Sequence, residues 1–104
     1  MKILDLSLTY KWYDMIASGT KREEYREIKD YWLHRLTYIR FFTGKLDSEL
    51  SLAKHYDFVR FHRGQGGKLS MLIECKGISV GYGNPEWGAP TNKEVFIIKL
   101  GNFA

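Results

Sequence analysis

The order of helix-like and strand-like segments is the feature that most constrains the fold of this chain. Two segments with helical spacing of apolar residues lie early, at 11–18 and about 30–41, and strands are predicted at 4–8, 21–28, 56–61, 69–80 and 94–100. The helices are therefore clustered, whereas a doubly wound parallel sheet needs regular alternation of strands and helices. The order predicts an α+β fold, namely a small mixed β-barrel or curled sheet of about five or six strands with two helices in its N-terminal half.

Polar residues and glycines mark where several of these segments begin and end. Thr9 is predicted to cap the first helix, and Gly19 follows it where a left-handed C-cap is favoured. Asp30 is predicted to cap the second helix. Gly77 indicates a bend in the long strand, and Gly101 is predicted to end the last one. The polar segment 44–54 predicts at most one helical turn, at 47–52.

Length and composition predict one domain that covers residues 1–104. The chain has 104 residues, of which 44% are hydrophobic, and this suits one modest core. No apolar run approaches the ~18 residues of a membrane span, and the N-terminus lacks the pattern of a signal peptide. The single cysteine, Cys75, excludes an internal disulfide framework. We therefore expect a cytoplasmic protein that does not associate with membranes.

Charge and aromatic content indicate a polyanionic partner. Sixteen basic residues stand against 12 acidic ones, which gives a formal charge of +4, and aromatic residues make up 15% of the chain. A basic, aromatic-rich domain suits RNA or single-stranded DNA, whose bases can stack on aromatic rings. The alternative is that a small domain uses aromatic residues because each buries a large area.

The segment 19–26, here called the charged segment, is the sharpest local feature. It reads Gly-Thr-Lys-Arg-Glu-Glu-Tyr-Arg and carries five charges. On a strand, Glu24 and Arg26 point to one side and Glu23 and Tyr25 to the other, and a bulge would bring Lys21 to the side of Glu24. Such charges are satisfied either in a wet cleft or on the solvated face of an edge strand.

Four residues of the charged segment carry a resemblance to a known family. Gly19, Lys21, Glu24 and Arg26 match G-x-K-x-x-E-x-R, the motif of the ASCH domain, a branch of the PUA-like superfamily. The surrounding pattern is also similar over essentially the whole chain. It consists of the strand at 6–8, Trp12, the aromatic pair at 31–32, the strand at 56–61 and the closing strand at 95–101.

The resemblance implies a PUA-like barrel with a ligand cleft over the motif and a role in RNA metabolism. Some family members are enzymes, either amidohydrolases that act on N4-acetylcytidine or ribonucleases. The amidohydrolase branch uses a lysine, a threonine and a glutamate. The lysine corresponds to Lys21 and the glutamate to Glu74, but Glu24 stands where the threonine is expected.

Glu24 in place of threonine favours binding over threonine-type hydrolysis. A carboxylate cannot become an alkoxide nucleophile, and its charge is expected to hold Lys21 in the protonated form. A protonated lysine is a poor base but a good partner for phosphate. Hydrolysis by an activated water stays open, with Glu24 or Glu74 as the base. The candidate catalytic residues are therefore Lys21, Glu24 and Glu74.

The remaining candidates would contact a ligand. Glu74 points away from the apolar face of its strand, either as a surface acid or as an acceptor for the exocyclic amine of a base. Trp87 lies in a Gly/Pro-rich loop, where it either stacks on a base or plugs one end of the fold. The predicted nucleic-acid-binding residues are Lys21, Arg26, Arg60, His62, Arg63, Lys68 and Trp87.

We predict neither a metal nor a cofactor. His34, His55 and His62 lack the spacing of metal ligands, and one cysteine cannot build a structural zinc site. Cys75 is predicted to be an inert core thiol. The expected partner is RNA or a nucleoside-like ligand, and the oligomeric state is left open. A third possibility is a protein-interaction module whose dimer interface comprises Trp12, Tyr13, Tyr31 and Trp32.

Overall fold

The computed structural model describes residues 1–40 and 44–104, and its element order confirms the α+β class. The strands are β1 (Ile3–Leu8), β2 (Glu23–Arg26), β3 (Phe58–Arg63), β4 (Ser70–Gly81) and β5 (Val95–Phe103). The helices are α1 (Tyr10–Ala17), α2 (Asp30–Leu36) and a short 3₁₀ turn at Pro85–Trp87. Neither α1 nor α2 is long and apolar enough to cross a membrane.

The five strands form one mixed sheet that curls into a half-barrel. Their order is β1-β3-β4-β5-β2, in which β1 and β3 are parallel and the other neighbours antiparallel. Within the described residues no backbone ladder joins the edge strands β1 and β2. The curl nevertheless brings these edges close, because Nη2 of Arg26 on β2 donates to the carbonyl oxygen of Ser7 on β1 at 3.2 Å. The predicted small mixed barrel is confirmed as this curled sheet.

The inner face of the sheet holds the core. Val59 pairs with Ile73 and Leu6 with Phe61, and these side chains pack with apolar residues of both helices. Residues that pair directly across two strands share a face. Glu24 pairs with Ile98 and Arg26 with Phe96, and both apolar partners are fully buried. Part of the charged segment therefore faces the interior of the half-barrel.

The ends of the helices follow the predictions only in part. Gly19 adopts a positive φ of 84° after α1, as its C-cap position predicted. Thr9 is the N-cap of α1, but its side chain makes no capping hydrogen bond with the described residues. The N-cap of α2 is Lys29, so the prediction of Asp30 as the cap is wrong. Asp30 lies in the first turn, where its charge complements the helix dipole.

The second helix is shorter than predicted. It ends at Leu36, because Thr37 turns extended and pairs with Ala53 in an isolated β-bridge. The hydroxyl of Thr37 also donates to the carbonyl oxygen of Leu33 at 2.7 Å. The predicted end near residue 41 lies outside the described residues. Segment 47–53 forms two hydrogen-bonded turns, at Asp47–Leu50 and Leu50–Ala53, and no helix.

Two glycines in the late strands carried predictions, namely a bend at Gly77 and the end of the last strand at Gly101. Gly77 has a φ of 141°, and the pairing of β4 with β5 shifts register just before it, which confirms the bend. Gly101 does not end β5, which runs on to Phe103. A Cβ at Gly101 would lie 2.7 Å from Oε1 and 3.0 Å from Cβ of Glu74, so the glycine leaves room for the Glu74 side chain, which lies close above it.

Candidate functional site

Lys21 is almost completely buried, with 1% of its surface exposed. The left-handed turn at Gly19 redirects the chain, and the backbone N–H of Lys21 donates to the carbonyl oxygen of Met15 at 3.0 Å. Lys21 therefore precedes β2 and does not belong to its pleat. This position places its side chain beside Glu24, and no bulge in β2 is needed.

The ammonium of Lys21 is surrounded by partners from three parts of the chain. It donates to the backbone carbonyl oxygen of Trp87 and lies 3.2 Å from Oε1 of Glu24. It also lies 5.1 Å from the centre of the Trp12 ring and 4.8 Å from that of Tyr25, within the range of cation–π attraction. These contacts make Lys21 the link between α1, β2 and the Gly/Pro-rich loop.

Glu24 joins Lys21 and Arg26 into a buried group of three charges, here called the ion triad. Its Oε1 faces Lys21, and its Oε2 lies 2.8 Å from Nη2 of Arg26. The Glu24 side chain is 8% exposed and that of Arg26 is 17% exposed. The structure thus brings together three of the residues that the motif singled out, and Glu24 orders the guanidinium group of Arg26.

Burial and the neighbouring charge act in opposite directions on Lys21. Desolvation lowers the pKa of its ammonium below the ordinary lysine value, and the Glu24 carboxylate opposes this shift. The cost of burying the charge therefore exceeds the attraction of the carboxylate, and the protonated form expected for Lys21 stays a prediction.

Tyr25 turns to the other side of β2 and holds the Gly/Pro-rich loop. Its hydroxyl donates to Oε1 of Glu23 at 2.7 Å and accepts from the backbone N–H of Asn84 at 3.0 Å. Burial and the nearby Glu23 carboxylate raise the pKa of Tyr25 to about 12, although the bond from Asn84 opposes the shift. The phenol is therefore neutral at physiological pH and keeps both hydrogen bonds.

Two glycines let the loop pack tightly against the aromatic rings of the site. A Cβ at Gly83 would lie 2.5 Å from the Tyr25 ring, and one at Gly88 would lie 3.0 Å from the Trp12 ring. Gly88 also has a φ of 101°, which a glycine adopts without strain. Segment 83–90, here called the loop wall, is thus attached to the site by Trp87, Asn84 and these two glycines.

A pocket of about 370 Å³ opens between the loop wall and the end of β2. Its size is within the usual range for small-molecule sites. It is lined by Tyr25, Arg26, Glu27, Gly88, Ala89, Pro90, Lys93 and Val95. Arg26 belongs both to this lining and to the ion triad, so the pocket adjoins the buried charges.

Arg26 retains an unused donor. Its Nε–H is buried and meets no acceptor within residues 1–40 and 44–104. A buried N–H of a charged group without an acceptor is costly, so such a group calls for a further partner. Nη2 of the same guanidinium already serves Glu24 and the carbonyl oxygen of Ser7.

Glu74 does not join this group. It pairs with Phe58 on the outer face of the sheet, and its Oε1 accepts from the backbone N–H of Asn102 at 2.9 Å. Within the described part of the chain it forms no hydrogen bond or ion pair with the ion triad. The strand alternation predicted the outward direction of Glu74 correctly. In the structure, its carboxylate accepts a hydrogen bond from the backbone near the end of β5.

Arg60, His62 and Arg63 also lie away from the ion triad. Arg60 and His62 are on the outer face, where both reach Asp5, at 3.5 and 2.8 Å. Arg63 makes a two-pronged ion pair with Asp14, with both N···O distances at 2.9 Å, and lies 4.2 Å from the centre of the Tyr10 ring.

Lys68 and Trp87 complete the set of predicted contact residues. Lys68 is exposed in the Gly-rich loop. Trp87 is half-buried, and its backbone carbonyl, rather than its ring, makes the contact with Lys21. Trp87 therefore contributes to the site through its backbone, and the chemistry of its side chain did not indicate this.

Cys75 packs against the core and lines a smaller pocket of about 250 Å³. It is half-buried, and burial raises the pKa of its thiol, which agrees with an inert thiol. In the described ranges no three residues among His, Cys, Asp and Glu are grouped so that they could hold a metal ion.

Sequence reasoning missed several residues of the site. Lys93 lines the pocket from the loop before β5, and Asn84 uses its backbone N–H, which no side-chain pattern reveals. Trp12 carries the nearest signal, since an aromatic residue early in α1 is part of the ASCH resemblance. Its contact with Lys21 depends on how α1 packs against the sheet.

Comparisons with known proteins identify no relative of this chain. No protein-family model, curated protein or solved structure matches this chain. The resemblance to the ASCH family, which rests on the charged segment and its context, therefore stays a prediction.

Proposed function

We propose that this chain is an ASCH-type, PUA-like domain that binds RNA or a nucleoside-like ligand in the pocket beside Arg26. The observation that carries the proposal is the position of Arg26, a largely buried cation held by Glu24 that also lines a pocket of suitable size. A phosphate oxygen or a base carbonyl in the pocket would accept a hydrogen bond from its guanidinium group.

The lining of the pocket supports the same class of ligand. Lys93 adds a second cation at the pocket, and Glu27 adds a carboxylate that can accept from an exocyclic amine. Tyr25 contributes an aromatic ring. A nucleotide presents an anion, hydrogen-bonding edges and a flat ring, and this lining offers a partner for each.

In this proposal Lys21 positions the site and does not touch the ligand. Its ammonium already contacts Glu24, the Trp87 carbonyl and two rings, and it is 1% exposed. Since the Trp87 carbonyl belongs to the loop wall, Lys21 holds that wall in place. Arg26 and Lys93 would make the direct contacts.

A hydrolase acting on nucleosides or RNA is the other function that the resemblance implies. Glu24 is occupied by two cations, and Lys21 is enclosed, so neither is free to activate a water molecule. Glu74 accepts from Asn102 on the other face of the sheet. These contacts favour binding over catalysis.

The test is a fluorescence anisotropy titration of labelled single-stranded RNA at two salt concentrations. We expect saturable binding that weakens with salt. Replacement of Lys93 by glutamine should lower the affinity and reduce the salt slope by about 0.7 if one phosphate contact to the single strand is lost. Lys45→Gln is the matched control, because Lys45 is equally exposed and does not line the pocket.

Two outcomes would refute the proposal. One is the absence of saturable binding at low salt, and the other is an equal effect of Lys93→Gln and Lys45→Gln. A parallel incubation with N4-acetylcytidine and with unstructured RNA tests the alternative. Product from either substrate would assign the chain to the hydrolases.

A further inference from the structure

We propose that the ligand is a single nucleic-acid strand, and that a second base stacks on an aromatic face of α2 next to the pocket. This face comprises Tyr31, Trp32 and Arg35. The inference rests on the proposed function, since it extends the same site from one nucleotide to at least two.

Two adjacent rings form this face, and one is open to solvent. Tyr31 is 58% exposed, and its ring meets that of Trp32 edge-to-face, with a centroid distance of 4.8 Å and an interplanar angle of 89°. Trp32 is half-buried and packs against the core. The exposed ring is thus held by a fixed neighbour, which lowers the entropy lost when a base stacks on it.

Two guanidinium groups make the face cationic. The guanidinium carbon of Arg26 lies 4.8 Å from the centre of the Trp32 ring, and that of Arg35 lies 5.5 Å from it. Arg35 also lies 5.9 Å from the Tyr31 ring. Aromatic rings interleaved with arginines suit single strands, because bases stack on the rings while phosphates meet the charges. Asp30, which is exposed in the first turn of α2, places a negative charge on the same helix as Arg35.

Backbone contacts to β1 hold both arginines in place. Nη2 of Arg35 donates to the carbonyl oxygen of Asp5, and Nη2 of Arg26 donates to that of Ser7, both at 3.2 Å. The guanidinium groups are therefore fixed before any ligand arrives.

Arg26 makes the face continuous with the pocket. Arg26 lines the pocket and also lies against Trp32, so it borders both the pocket and the aromatic face. A nucleotide in the pocket would direct its neighbour along the strand towards Trp32 and Tyr31. A free nucleoside would leave this face unused.

The test compares a nucleoside monophosphate, a dinucleotide and a tetranucleotide of RNA as probes in calorimetric titrations. The wild-type protein should bind the longer probes about fivefold tighter or more, which is the effect of one stacked base. Tyr31→Ala should remove that gain and leave the monophosphate affinity unchanged. Tyr82→Ala is the matched control, since Tyr82 is 67% exposed and lies outside both the pocket lining and the aromatic face.

The outcomes separate this inference from the proposed function. If all three probes bind equally, or if Tyr31→Ala and Tyr82→Ala behave alike, the inference fails while the proposed function stands. If no probe binds, the proposed function fails and the inference fails with it. If light scattering shows a dimer that Tyr31→Ala dissociates, the face belongs to a second copy of the chain and the inference is overturned.

Discussion

The side-chain ammonium of Lys21 donates to the backbone carbonyl oxygen of Trp87, which lies 66 residues further along the chain. This bond joins the start of β2 to the loop wall of the pocket. A buried charge thereby fixes a segment that has little regular structure of its own. The following predictions test this arrangement and the contacts around it.

Replacement of Lys21 by methionine should destabilise the fold. Methionine keeps the apolar contacts with Trp12 and Tyr25 but leaves the Trp87 carbonyl without its donor and removes one partner of Glu24. We expect a loss of about 3 kcal/mol, the lower end for breaking a buried ion pair, because Arg26 still pairs with Glu24. Urea unfolding followed by tryptophan fluorescence measures it. Lys45→Met, at an exposed position, serves as control, and equal stability of the two variants would contradict the prediction.

Alanine at Gly83 should push the loop wall away from Tyr25. Its Cβ would lie 2.5 Å from the Tyr25 ring and 2.7 Å from the Cβ of Ala89, so the loop must shift. The expected cost is about 1–3 kcal/mol in the free energy of unfolding. Gly81→Ala is the control, because its Cβ would make only an ordinary contact of 3.5 Å with Ile97. A melting temperature that falls equally in both variants would be the opposing result.

Tyr25 should make the stability fall at alkaline pH. Its pKa is about 12 in the folded chain, against an ordinary value of 10.0, so the folded state holds this proton more tightly than the unfolded state. The stabilisation is complete below pH 10 and is lost as the pH rises towards 12. Absorbance titration of the phenolates should show a tyrosine that titrates near pH 12 and disappears in Tyr25→Phe. An unchanged titration curve in that variant would exclude this assignment.

Arg26→Lys should weaken the junction between β1 and β2 although it keeps the charge. A lysine cannot contact Glu24, donate to the Ser7 carbonyl and stack on Trp32 at the same time, as the guanidinium does. We expect a loss of about 1–2 kcal/mol in chemical unfolding. The exposed Arg22, whose bond to the Gly101 carbonyl is long at 3.4 Å, provides the comparison Arg22→Lys. The prediction is wrong if Arg22→Lys costs as much.

Features that depend on residues close together in sequence were predictable. The alternation at 4–8 predicted β1, the apolar spacing at 11–18 with Gly19 predicted α1, and Gly77 predicted the bend in β4. The grouping of Lys21, Glu24 and Arg26 was predictable as well, because six residues cannot separate these side chains far. The predicted C-terminal end of α2 was wrong, because the β-bridge from Thr37 to Ala53 overrides the local helical preference.

The amino-acid sequence by itself determined the fold class, most of the elements and the ion triad, because periodicity and short spacing are local properties. Only the tertiary structure decided which groups from distant parts of the chain meet. The curl of the sheet brought Trp87, Asn84 and Lys93 around β2, and the strand register placed Glu74, Arg60 and His62 on the opposite face. The physical reason is that these contacts join segments about sixty residues apart, and their geometry depends on how the whole core packs rather than on any local pattern.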